Sequence, residues 1–188
     1  MKKVLLMPGI VAAVALLPVA GVFAATGTTV TDTVEVTINS ACSITVTNTA
    51  NTYSVSMTNS QLRSDIGGTA MSISCNDAGG WKVTAVGDGA ATNKTQMKAT
   101  GSGTNIATGT ATSGATSNWA FKVTGTKASG YTTFKAVPSS ATLVATNAGS
   151  SSSESITATY QVWISATQQA DTYTGKVKYT LVHPATSS

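Results

Sequence analysis

Val30-Thr-Asp-Thr-Val34-Glu-Val36-Thr-Ile38-Asn-Ser-Ala-Cys42-Ser-Ile44-Thr-Val46 decides the fold class. Every large apolar side chain in it falls on an even number, and Thr, Glu, Asn and Ser fill the places between. Successive side chains of a strand point to opposite faces, so a period of two puts this apolar set on one face. The stretch reads as one strand, or as two consecutive strands in register.

The same alternation recurs downstream. Tyr53–Met57, Met71–Cys75, Trp81–Ala85, Trp119–Val123, Ile156–Ile164 and Tyr173–Leu181 each carry it. Turn-forming clusters separate them at 76–80, 87–89, 127–130 and 167–171. No amphipathic helix is expected after the N-terminal run; Gln61–Ile66 is the one stretch that could make a single helical turn. Short strands at this spacing predict an all-β chain, an immunoglobulin-like or Greek-key β-sandwich. Two regions break the pattern. Residues 89–118 are a Gly/Thr/Ala/Ser mixture, expected to be mobile loop or loosely packed edge. Asn147–Ser153 reads as a flexible polar loop.

Residues 1–24 read as a cleaved secretory signal peptide. Lys2 and Lys3 precede an apolar run over about Val4–Ala20, and Val22-Phe23-Ala24 offers small residues where a signal peptidase reads, so the cut is expected after Ala24. The run is short for a membrane span and holds Pro8 and Pro18. No second apolar run follows, so residues 25–188 are expected to be a single soluble domain with no membrane span, secreted or held at a bacterial cell surface. The formal net charge of +4 falls to about +2 once Lys2 and Lys3 leave. The remaining lysines are scattered rather than gathered beside aromatics, which excludes a nucleic-acid binder.

Cys42 and Cys75 are the only cysteines. In an exported chain they are expected to form one disulfide closing a loop of about 34 residues, worth about 3–4 kcal/mol in the chain-entropy account. A metal site would need more ligands than these and His183. The acids (Asp32, Glu35, Asp65, Asp77, Asp88, Glu154 and Asp171) form no pair or motif that implies catalysis, and Asp77, Asp88 and Asp171 sit in predicted turns, where Asp caps backbone groups. There is no phosphate loop, dinucleotide fingerprint or zinc signature, so no cofactor and no enzymatic role are expected. Asn93-Lys-Thr95 matches a glycosylation triplet by chance.

Two resemblances follow from particular residues. Tyr173-x3-Val177-x-Tyr179-Thr-Leu181-x2-Pro184 resembles the closing motif of WxL-type cell-wall domains, and Gly79-Gly80-Trp81-Lys82-Val83 resembles their upstream copy. Tyr179 stands where that family has Trp, and Val83 where it has Leu. The resemblance implies a secreted β-rich domain that associates non-covalently with peptidoglycan, with Trp81, Val83, Tyr179 and Leu181 as candidate wall-binding residues. The cysteine placement, the alternating segment Thr28–Ile38 and the final strand with its internal Gly175 also resemble chaperone–usher pilins and spore-coat-like secreted proteins. That resemblance implies self-association by strand addition, with Val30, Val34, Val36 and Ile38 donated to a neighbour. The chain lacks the family's penultimate aromatic. The first expectation is therefore a non-catalytic, wall-associated attachment or coat component, whose partners are peptidoglycan or other surface proteins. The alternative is a self-assembling fimbrial or coat subunit joined through residues 28–38. A secreted hydrolase comes third.

Overall fold

The computed structural model describes residues 36, 41–46, 57, 63–110 and 116–183. The expected leader 1–24 and the candidate donor residues Val30, Val34 and Ile38 lie outside the described residues. The chain divides into two units, 1–37 and 38–188. Val36 is the described residue of the first, and it is 76% exposed.

The second unit is all β, with no helix among the described residues. The described residues form eleven strands: β1 (Cys42–Val46), β2 (Arg63–Cys75), β3 (Trp81–Gly87), β4 (Lys98–Ala99), β5 (Ala107–Thr108), β6 (Asn118–Thr124), β7 (Lys135–Ala136), β8 (Thr142–Asn147), β9 (Ser151–Trp163), β10 (Tyr173–Thr174) and β11 (Val177–Val182). A mixed six-stranded sheet runs β1-β2-β9-β6-β5, with β7 also on β6, and curls into a half-barrel. A three-stranded sheet runs β11-β3-β8, and β10 pairs with β4.

Alternation explains which side chains go inside. Met71, Ile73 and Cys75 of β2, Trp81, Val83 and Ala85 of β3, and Ile156, Ala158 and Val162 of β9 enter one core with Trp119, Phe121 and Val123 of β6. Phe121 lies 4.7 Å from Tyr131, centroid to centroid, in a stacked arrangement, and meets Tyr179 edge-on at 6.3 Å. The indole Nε1 of Trp119 donates to Thr95 O at 2.8 Å and that of Trp81 to Ser151 Oγ at 3.0 Å, so neither aromatic buries an orphan donor.

Several expectations are corrected. Residues 63–66, considered for a helical turn, belong to β2, which continues past a register shift between Ile66 and Gly68, where Gly67 has φ +38°. Ser151–Ser153 are the start of β9 rather than loop, because Ser151 pairs with Cys75 and holds the Trp81 indole. Within 89–118, the described residues around Met97 and Ile106 pack into the core. Ile106 is 1% exposed, and Met97 and Ile106 exchange backbone hydrogen bonds at 2.9 and 3.0 Å.

The final alternating segment is interrupted at Gly175. A side chain there would run into the Trp119 ring, so the strand divides into β10 and β11.

Candidate functional site

The two lateral sides of this unit differ. On one side each edge strand is covered. The outer edge of β6 is met by β5 at Asn118 and Trp119 and by β7 at Ala120 and Phe121. Beyond them Val123 N donates to Tyr131 O at 2.7 Å. The outer edge of β8 is met by residues 127–129: Ser129 N donates to Val144 O at 2.8 Å and Thr146 N to Lys127 O at 3.0 Å. Gly125 (φ +126°) and Gly130 (φ +76°) let this covering segment turn, and a side chain at Gly125 would strike Ser155 O.

On the other side stand β1 and β11. Among the described residues β1 pairs only with β2, and β11 only with β3. The hydrogen-bond phase shows what these edges present. Asp88 N donates to Lys176 O, and the register carries that phase to Lys178, Thr180 and Val182. The N–H and C=O groups of Val177, Tyr179 and Leu181 therefore point away from β3, to the uncovered edge. Likewise Asn76 N donates to Ala41 O at 3.1 Å, so Ser43 and Thr45 bond to β2 while Cys42, Ile44 and Val46 turn their backbone groups outward.

Both edges thus offer backbone groups from the residues whose side chains face the core. Cys42, Ile44, Val177, Tyr179 and Leu181 are half-buried against it, as are Ile66 and Tyr160. Met57 packs there too. Within this apolar lining the hydroxyls of Tyr160 and Tyr179 lie 3.1 Å apart. Burial, then the neighbouring Tyr160, holds the Tyr179 hydroxyl well above the usual tyrosine range. The uncovered edges are features that sequence reading did not find, since apolar periodicity reports which face is buried and not which edge is paired.

The cysteines form the expected disulfide. They are direct cross-strand partners at a non-hydrogen-bonded position, with Cα atoms 4.1 Å apart, where antiparallel side chains come closest. The bridge fastens the edge strand β1 to β2.

The wall-motif candidates separate. Trp81 and Val83 are 1% and 0% exposed and belong to the core, whereas Tyr179 and Leu181 lie on the uncovered edge strand. Val83 and Leu181 are register partners across β3 and β11, so the two copies of the motif meet in one sheet.

The described acids are engaged in the scaffold. Asp77 Oδ1 accepts from Gly79 N, and its other oxygen lies 3.8 Å from His183 Nδ1. Glu154 lies 3.8 Å from Lys127, and Asp88 4.0 Å from Lys94. Asp65 accepts from Gln161. Asp171 accepts from the backbone N–H groups of Gly103 at 2.9 Å, Gly101 at 3.0 Å and Thr172 at 2.7 Å. These bonds, Gly103 first, lower its pKa below the ordinary aspartate value against a smaller opposing effect of desolvation. Asn93 Oδ1 accepts from Thr95 N and Oγ1, so the glycosylation-like triplet is a local turn. No group of three potential metal ligands occurs among the described residues. Among them, no helix is long and apolar enough to cross a membrane.

No family model, curated protein or solved structure matches this chain.

Proposed function

We propose that this chain is a non-catalytic, exported cell-surface protein that assembles by strand addition, with the β1/β11 side accepting residues 28–38 of a second copy. The carrying observation is the pair of edges that no described residue covers, whose outward backbone groups and half-buried apolar side chains fit an incoming alternating strand. The finer fold reading is an immunoglobulin-like Greek-key sandwich. It is supported by β2–β9 pairing in one sheet and by β3 lying between β8 and β11 in the other.

Parity argues for a neighbour's strand rather than the chain's own. A two-residue turn at Asn39 and Ser40 would pair Ile38 with Ala41 and Val36 with Ser43. That would set Val34, Val36 and Ile38 on the outer face, opposite to the inward set Cys42 and Ile44. A three-residue turn would restore the faces, but its usual form needs a left-handed third residue. That residue is Ala41, and no described non-glycine residue has positive φ. Ala41 is also tied to β2, its N–H donating to Asn76 Oδ1 at 2.5 Å. The parity of the segment therefore favours pairing with a neighbour's edge over pairing with its own β1. Export is supported by the disulfide and the N-terminal run.

The test is a chain lacking residues 25–38. The intact mature chain is expected to give a ladder of SDS-resistant oligomers and the shortened chain a monomer. Equal behaviour of the two would overturn the reading. Wall association is the second reading, favoured by Tyr179 and Leu181 lying together on the uncovered edge. It requires the mature chain to sediment with isolated peptidoglycan; a chain left wholly in the supernatant excludes it.

A further inference from the structure

One residue of the 28–38 segment interrupts its apolar face. Asp32 lies on an even position among Val30, Val34, Val36 and Ile38, so the parity that turns those four side chains to one face turns Asp32 to it as well. Glu35 falls on the other face with Thr31, Thr33 and Thr37. The face offered for burial therefore carries one carboxylate within an apolar row. Taking a carboxylate out of water is costly unless a hydrogen-bond donor meets it.

The accepting side holds a matching feature. Ile44, Ile66, Val177 and Leu181 line it with apolar side chains packed against the core. Tyr160 and Tyr179 lie among them, with their hydroxyls 3.1 Å apart. Tyr179 stands on β11 between Val177 and Leu181, at a position whose backbone groups point to the edge. Its ring is braced edge-on against Phe121 at 6.3 Å. A hydroxyl has one proton to donate and two lone pairs that accept. With Tyr160 donating to Tyr179, the Tyr179 proton is directed to an acceptor on the incoming strand. Burial holds that hydroxyl above the usual tyrosine range, so it stays a donor.

We propose that Asp32 of the donated strand accepts a hydrogen bond from the Tyr179 hydroxyl, and that this contact sets the register of strand addition along β11. The inference rests on the strand-addition reading and adds its register. A strand with a period of two can slide by two residues and still turn apolar side chains inward. A slip of that kind would set the carboxylate against apolar side chains, so one polar contact selects one register. Directly opposite and diagonal cross-strand neighbours are both within reach of an aromatic side chain. Asp32 is therefore placed opposite Tyr179 or one diagonal step from it.

The experiment is a double-substitution cycle on the full mature chain: intact, Asp32→Val, Tyr179→Phe and the two combined. Sedimentation over a concentration series gives the concentration at which half of each chain is assembled. Tyr179→Phe is expected to raise that concentration about tenfold where position 32 is Asp, and by less than about twofold where it is Val. Should Tyr179→Phe not fold, Tyr160→Phe takes its place and must show the same difference between backgrounds. An equal effect in both backgrounds overturns the proposal and leaves strand addition standing. So does coupling of Tyr179 to Glu35, measured with Glu35→Val, in place of Asp32. An intact chain that is monomeric at every concentration overturns both.

Discussion

The side of the molecule built by β5, β7 and residues 127–131 and the side bounded by β1 and β11 come from the same kind of sequence and end differently. On the first, short segments with few large side chains return to the sheet edges and satisfy them. On the second, two longer alternating strands keep apolar side chains half-buried, and among the described residues nothing pairs with their outer backbone groups. The difference teaches that covering an edge is a matter of backbone hydrogen bonding. Residues as plain as Lys127, Ala128 and Ser129 suffice for it. An edge left uncovered beside a row of inward apolar residues invites pairing with another strand.

The comparison can be broken from either side. The largest effect is expected from Phe121→Ala, which empties the core beneath the covered side and should cost about 3–5 kcal/mol in chemical denaturation. Loss of the bridge by Cys42→Ser with Cys75→Ser comes next, at about 3–4 kcal/mol. It should also loosen β1 selectively, seen as faster amide exchange at Ser43 and Thr45 than at β6. Uniform loosening would mean that the bridge does more than fasten an edge. Gly125→Ala forces a side chain into a left-handed position against Ser155 O and should cost about 1–3 kcal/mol, with exchange rising at Ser129 and Thr146. If that exchange stays slow, the turn does not govern the covered edge.

The smallest effect is local. Asp171→Asn should release residues 100–104 with little loss of global stability. The sign of the pH dependence follows from the depressed pKa. The contribution of Asp171 is present above the ordinary aspartate value and is lost as pH falls through the lower folded value. Exchange at the Gly101 and Gly103 amides should therefore rise only at strongly acid pH. An NMR titration placing Asp171 at or above the ordinary value would refute this.

Much of the interior was legible because alternation is the physics of a half-buried strand. Met71, Ile73, Trp81, Val83, Phe121 and Ile156 were all marked by it. The disulfide was legible from the cysteine count and the expected export. β8 was not, because a register shift at Val83/Thr84 puts both Val144 and Ala145 inside and destroys the period of two. Ile106 was hidden among small residues whose contribution is to backbone pairing. The edges were illegible for a deeper reason: a sequence shows which residues want to be buried, and pairing depends on which strands arrive beside them.

The central claim is that the β1/β11 side is completed by residues 28–38 of a neighbour. Amide hydrogen exchange at Val177, Tyr179 and Leu181, compared between the intact mature chain and one lacking residues 25–38, tests it most directly. Strand addition predicts slow exchange at these three amides in the assembled intact chain and fast exchange in the shortened one, with Lys178 and Thr180 slow in both. Slow exchange at all three in the shortened chain would show that the edge is covered from within the same molecule, for instance by the alternating residues 53–57, and would contradict the account.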